Sequence, residues 1–479
     1  MLCGGGVRFL VLTTVLSSTV SAVRRPPGLF RRWDLPPPIA RRDAGNVTTD
    51  WLEQKLDHYN PTITTTWQQR YFVNTNFYKD SGPAFLFISG ESSASEAWVR
   101  GGHMMDLAAK FGAMAFELEH RFYGDSHPTE SLSSANLHYL RTDNALADVA
   151  YFIETMNTKY ALNDATKWIV FGGSYAGNLA AWARLKFPHL VHGAVSSSAP
   201  VFAETDFTGY YEVVGSVLNA SSPQCYQDVK NATQELQNLL NSEEGAQEVT
   251  KLFNLCQPLD LNAKNDIYNL QNTMAEIFAG FVQYNSYSGS EVQAVCNQVT
   301  DPRYGGTPLK RYSSLAPHFN CLDVRFSSLV QNYGNDSWDA NPTYRAWIYQ
   351  TCSEYGYYQT TDSPNQPFSK GFPLEFFIDQ CAALYGKEFN KDLVDSAVQR
   401  TNLLYGGRNP QVTNVVFVNG GSDPWHVLGV LEDLSPSAQA VVIDGFSHCG
   451  DMYTSKNSDP PQMKAAHAKI AALIQQWLD

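Results

Sequence analysis

The stretch that most constrains this chain runs Lys167-Trp168-Ile169-Val170-Phe171-Gly172-Gly173-Ser174-Tyr175-Ala176-Gly177-Asn178-Leu179-Ala180-Ala181-Trp182. Trp168 to Phe171 is a short apolar run of the kind that forms a buried strand. Two glycines and a serine follow, then an Ala/Leu-rich segment with helical character. Strand, tight turn and helix with a serine at the turn make a nucleophile elbow, whose usual form is Gly-x-Ser-x-Gly. The turn strains the serine backbone, so its neighbours must be small. Gly172 meets that demand. Ala176 stands where the second glycine usually stands, and Gly177 comes one residue later. Alanine still fits. The plainer reading is a Gly-Gly-Ser loop without chemistry, and the partners of Ser174 must decide between the two.

The surrounding sequence supplies the sheet that such an elbow needs. Ala84 to Ser89 and Ala113 to Glu119 read as strands. Leu146, Val149, Phe152 and Ile153 recur at helical spacing within Asn144 to Met156. Val191 to Ser196 reads as another strand. Alternation of this kind predicts a mostly parallel sheet with helices on both faces. The pattern changes after Pro200. Residues 201–412 are richer in Gln, Asn, Tyr and Cys, and Val229, Ala232, Leu236 and Leu239 mark an amphipathic helix. Strand patterns return at Asn414 to Val418 and Ala438 to Ile443, and Ala465, Ile470, Leu473, Ile474 and Trp477 mark a closing helix. The expected architecture is an α/β-hydrolase sheet with an inserted helical, disulfide-stapled cap. Its sheet domain comes from residues 50–200 and 413–479, and its cap from 201–412.

On such a sheet the acid and the histidine follow the serine in the chain, on loops after late strands. Asp423 follows one late strand through Asn-Gly-Gly-Ser, and His448 follows the next through Asp-Gly-Phe-Ser. Both should stand at the carboxyl edge of the sheet beside Ser174. His448 is the expected base for the Ser174 hydroxyl, because imidazole titrates near neutrality. Asp423 is expected to fix its tautomer, with Asp444 and Asp451 as weaker candidates. The oxyanion donors are expected at the Tyr175 N–H and in the loop Ser89-Gly90-Glu91-Ser92, with Gly90 as the candidate. Trp425 lies two residues after Asp423 and should line the pocket. Glu91 is a candidate anchor for a substrate's amino group. No cofactor or metal is expected; His189-x-x-His192 lacks further ligands nearby.

The rest of the chain bounds where this chemistry operates. Residues 1–22 read as a secretory leader, with the apolar run Phe9 to Leu16 and a Val20-Ser21-Ala22 cleavage site. Residues 23–49 read as a propeptide or a disordered linker. They hold five prolines, and the pairs Arg24-Arg25, Arg31-Arg32 and Arg41-Arg42 are candidate processing sites. The whole chain has a formal charge of −13, and residues 1–45 hold seven Arg against two Asp, so the chain beyond this basic start carries −13 − 5 = −18. That charge argues against nucleic acid and anionic membranes as partners, and fits an acidic compartment. No later run is long enough to span a membrane. Peptide substrates are the expected partners, and a homodimer is left open. Cys225, Cys256, Cys296, Cys321, Cys352 and Cys381 suggest three disulfides in one of fifteen pairings, with Cys449 left as a free thiol. Protonation of His448 would raise the thiolate character of Cys449. Sequons at Asn46, Asn219, Asn231 and Asn335 are glycan acceptors.

Four motifs together carry a resemblance: Gly172-Gly173-Ser174-Tyr175-Ala176-Gly177, Glu119-His120-Arg121-Phe122-Tyr123-Gly124, Asn419 to Trp425, and Ser447-His448. From about Trp51 to the end, the chain resembles the prolyl carboxypeptidase and dipeptidyl peptidase II family, nearest its thymus-specific branch. The resemblance implies a cap inserted after the sixth strand and the pairs Cys225–Cys296, Cys256–Cys321 and Cys352–Cys381. It also implies a lysosomal or secretory serine exopeptidase that cleaves beside proline. Where the family often has a second histidine and an arginine after the catalytic one, this chain has Cys449 and Tyr453. Asn178 replaces an apolar residue near the expected pocket. The competing readings are a serine carboxypeptidase or esterase of other specificity, and an inactive hydrolase-like binding protein.

Overall fold

The computed structural model describes residues 36–162, 165–316 and 320–479. The leader and the first two Arg-Arg pairs lie outside the described residues. Eight strands form one sheet: β1 (Thr48–Lys55), β2 (Thr66–Asn74), β3 (Ala84–Ile88), β4 (Met114–Leu118), β5 (Trp168–Gly173), β6 (Val191–Ser197), β9 (Val415–Gly420) and β10 (Ala438–Ile443). Two short strands, β7 (Glu204–Asp206) and β8 (Gly356–Tyr358), pair with each other apart from it. The order across the large sheet is β1-β2-β4-β3-β5-β6-β9-β10. β1 and β2 pair antiparallel with each other, as do β2 and β4, and the remaining pairs are parallel.

Burial explains the split. Every residue of β3, β4 and β5 is buried, as expected for parallel strands covered on both faces. β1 instead alternates exposed and buried positions towards its end, as an edge strand does. On one face Phe85, Phe87, Ile169, Phe171, Val416 and Val418 pack against the His103–Phe111 and Pro461–Leu478 helices. On the other, Phe116 and Trp168 meet Phe152 of the Thr142–Lys159 helix. The elbow helix Tyr175–Lys186 also packs beside that helix.

Between β6 and β9 the chain is mainly helical, from the Gly209–Ser221 helix to the Lys391–Tyr405 helix. Three disulfides staple it: Cys225–Cys296, Cys256–Cys321 and Cys352–Cys381, the pairing that the resemblance implies. The first two close loops of 71 and 65 residues. Restricting the unfolded chain in this way stabilises by about 4 kcal/mol each on the chain-entropy account. Cys449 is the free cysteine among the described residues, and it is buried.

One expectation fails in part. The linker expected up to residue 49 is folded from residue 36 onwards. Ala40 bridges Gly101, Ala44 is buried, and β1 begins at Thr48. The proline- and arginine-rich composition suggests a solvated tail. Contacts that composition does not report hold it down instead, among them the ion pair of Arg41 with Asp106. All four sequon asparagines are exposed.

Candidate active site

Ser174 stands between β5 and the Tyr175–Lys186 helix with φ 58° and ψ −133°, the strained conformation an elbow requires. The glycines are there for space. A Cβ on Gly172 would lie 2.1 Å from the Ala176 carbonyl oxygen, and one on Gly173 would lie 2.2 Å from the Met452 sulfur. Ser174 N–H donates to the Ser197 carbonyl at 2.9 Å, which ties the turn to β6. Tyr175 opens the helix, so its N–H has no intrahelical acceptor. Gly90 packs on the same helix start: a Cβ there would lie 3.3 Å from Ala176 N. The two expected oxyanion donors therefore belong to adjoining segments.

The loop that carries Gly90 is held by two buried carboxyl groups, Glu117 of β4 and Glu119 just beyond it. Glu117 Oε1 accepts from Ser95 N and from the Ser89 hydroxyl, both at 2.9 Å. Glu119 Oε1 accepts from Ala94 N at 2.9 Å and from Arg70. The neighbouring His120 supports the elbow. Burial pushes its imidazole down to about 4, so the ring is neutral. Nδ1–H donates to the Arg121 carbonyl at 2.6 Å, which leaves Nε2 to accept the Tyr175 hydroxyl at 3.0 Å. Arg121 completes the cluster in a buried pair with Asp148. The Glu-His-Arg motif is thus a brace behind the site.

His448 Nδ1 donates to Asp423 Oδ2 at 2.8 Å, and Asp423 Oδ1 accepts from Trp425 N at 3.0 Å. Both side chains are buried. Burial alone would lower the His448 imidazole, but the adjacent Asp423 carboxylate and the Cys449 sulfur together outweigh it and raise the ring well above its ordinary value. The two weaker acid candidates do not meet the ring. Asp451 accepts the Ser197 hydroxyl at 2.6 Å. Asp444 offers its backbone carbonyl to Gln462. No hydrogen bond joins Ser174 to His448 among the described residues. Such bonds tighten when substrate arrives.

The insertion completes the site with residues that carry no motif. His448 N–H donates to the Gln283 carbonyl at 3.1 Å, so the end of the Lys264–Gln283 helix clasps the histidine loop. The Gln283 side chain accepts from Trp425 Nε1 at 3.0 Å and from the Tyr210 hydroxyl at 2.8 Å. A cavity opening on Ser174 is walled by Pro200, Gln283, Trp347, Tyr357 and Trp425. Trp425 stands edge-on to Tyr357, ring centroids 5.6 Å apart at 84°. Trp425 thus lines a cavity together with Ser174. Sequence reasoning missed Gln283, Trp347 and Tyr357; the abundance of tyrosine after Pro200 is their one trace. Asn178 departs from expectation. It is fully buried behind the cavity, and its amide donates to the Pro200 carbonyl and the Tyr357 hydroxyl, both at 3.2 Å. It positions two wall residues and is not itself a wall.

Glu91 borders this cavity and also a second one that opens on Ser174. Cys449 is a neutral thiol in this setting. Burial pushes its pKa up, contrary to the thiolate character expected beside a protonated histidine. Among the described residues, no cluster of His, Cys, Asp or Glu could hold a metal ion, and no helix is long and apolar enough to cross a membrane.

The strand order, the strained serine after β5 and the acid and histidine after β9 and β10 define a hydrolase of the α/β class with a serine elbow. Comparison with known proteins narrows the class. The model of the serine carboxypeptidase S28 family matches residues 54–470, and the chain belongs to that family of serine peptidases. It is 35% identical to a putative serine protease of Caenorhabditis elegans, over 98% of this chain and 97% of that one. It is 38% identical to the thymus-specific serine protease of Mus musculus, over 89% and 87% of the two chains. It is 28% identical to the lysosomal Pro-X carboxypeptidase of Homo sapiens, over 91% and 89%.

Proposed function

We propose that this chain is an exopeptidase that cleaves on the carboxyl side of proline, or of a similarly small apolar residue, in a lysosomal or secretory compartment. The observation that carries the reading is the wall of Trp425, Tyr357, Trp347 and Pro200 beside Ser174. Flat aromatic faces suit a pyrrolidine ring, which is apolar and brings no N–H that would need a partner. The Pro-X carboxypeptidase relative points to the same bond, and its lysosomal setting to the same compartment. Glu91, which borders both cavities, is the candidate anchor for a substrate's amino group.

In this mechanism His448 takes the Ser174 proton as the oxygen attacks the scissile carbonyl. Asp423 stabilises the imidazolium through Nδ1. The Tyr175 and Gly90 amides receive the oxyanion; losing one such donor typically costs ~3 kcal/mol of transition-state stabilisation. His448 returns its proton to the leaving amine, and water releases the acyl group by the same steps in reverse order. The test pairs fluorophosphonate labelling with a matched peptide set carrying Pro, Ala, Lys or Phe before the cleaved bond. Labelling of the wild type and none of Ser174→Ala is expected, with fastest cleavage after Pro. Labelling of Ser174→Ala would overturn the nucleophile. A clear preference for Lys or Phe would overturn the specificity.

A further inference from the structure

The second cavity at Ser174 shares Glu91 and Ser174 with the first and none of its aromatic wall. Its lining comes from β3 and the loop after it, from Glu117 of β4 and from the elbow, with one exception. The exception is Pro37, from the far N-terminal end of the described chain. We propose that residues 36–41 are a strap that closes the leaving-group side of the cleft and so limits cleavage to bonds near a carboxyl terminus. The assignment of sides rests on the reading above: with proline against Trp425 and Tyr357, the second cavity is the one left at Ser174 for the chain beyond the scissile bond.

The strap is built to stay in place. Pro36, Pro37 and Pro38 each have a fixed φ and no N–H, so the run is stiff and cannot pair with a substrate strand by donation. Pro38 is buried. The Tyr453 hydroxyl donates to the Pro36 carbonyl at 2.8 Å. Ala40 bridges Gly101, and Arg41 N–H donates to the Arg100 carbonyl at 2.8 Å. The Arg41 guanidinium pairs with Asp106, whose other oxygen accepts from Ser455 N at 2.9 Å. The approach to Gly101 is close: a Cβ there would lie 2.2 Å from the Ile39 carbonyl oxygen. Tyr453 and Ser455 both follow His448 on one loop. The strap is therefore fastened to the segment that carries the candidate base, through the tyrosine that stands where the family often has arginine.

Two variants loosen the strap without touching the proposed catalytic groups. Tyr453→Phe removes the hydrogen bond to Pro36, and Gly101→Ala forces the Ile39 carbonyl away. Each is assayed, with wild type, on a pair of amino-blocked peptides. One ends a single residue beyond the cleaved bond, and the other continues for four more. Both carry whichever residue the enzyme accepts before the bond, so an error in the proline assignment changes the peptide and not the readout. Wild type is expected to disfavour the extended peptide by about tenfold or more in kcat/KM, the scale on which a blocked subsite discriminates. The variants are expected to recover the extended peptide to within a small factor of the short one, with the short one unchanged. Tyr453→Phe keeps the ring in place and serves if Gly101→Ala fails to fold. Equal cleavage of both lengths by wild type would overturn the strap, as would unchanged length discrimination in the variants.

Discussion

Glu117→Gln tests how the buried carboxyls set stability against pH. Glu117 is fully buried in β4, and burial raises its carboxyl from 4.5 to about 8, against the opposing pull of Ser95 N–H and the Ser89 hydroxyl. Oε2 is buried with no hydrogen-bond partner among the described residues, so a negative charge there would be uncompensated. In the unfolded chain the same group ionises near 4.5. Between those two values the folded state keeps a proton that the unfolded state has released, so stability falls as pH rises. The contribution is complete below pH 4.5 and lost as pH passes 8. From pH 5 to pH 8 the loss is about 3 kcal/mol, at ~1.4 kcal/mol per pKa unit. Glutamine is neutral throughout and keeps an acceptor for Ser89 and Ser95. Burial also raises Glu276 and Glu354 to about 7 and Asp451 to about 6, and these slope the curve in both proteins. The informative quantity is therefore the difference between variant and wild type. Urea unfolding at pH 5 and pH 8 should show a loss smaller by about 3 kcal/mol in Glu117→Gln. Parallel curves for the two proteins would refute the assignment of a neutral Glu117.

Asp423→Asn should leave the fold intact and lower kcat by about ten thousandfold, because the wrong imidazole tautomer then faces Ser174; a loss below tenfold would remove Asp423 from the mechanism. Gly172→Ala should destabilise by about 3 kcal/mol, since the new methyl meets the Ala176 carbonyl, and thermal unfolding reads it. Arg121→Ala should cost about 3 kcal/mol by leaving the buried Asp148 with His58 as its one remaining ion-pair partner among the described residues, checked by the urea midpoint. Cys449 should resist alkylation in the native protein and react on unfolding, because it is buried and its pKa is raised; mass mapping of the labelled chain checks it.

Local pattern carried much of this protein. The apolar run before Gly172-Gly173, the turn residues before Asp423 and His448, and the return of strand patterns after residue 412 are short-range signals. Each reports a nearby backbone state, so the elbow, the late strands and the order of the candidate triad were legible in the sequence. The sequence also marked the cap through its cysteines, although spacing alone left fifteen pairings open and the family resemblance chose among them.

Other features depend on residues far apart in the chain that meet only after folding. Asn178 looks like a pocket residue by position, yet it turns inward, because Pro200 and Tyr357 offer its amide acceptors that water would otherwise supply. The segment from Pro36 reads as a solvated tail, yet Tyr453, Gly101 and Asp106 hold it beside Ser174. Gln283 belongs to an unremarkable helix end and still fixes both His448 and Trp425. The sequence alone determined which groups could do the chemistry, since reactivity belongs to residue type and local turn. Tertiary structure alone decided what surrounds them, since burial, pKa and access come from neighbours that the chain brings together across hundreds of residues.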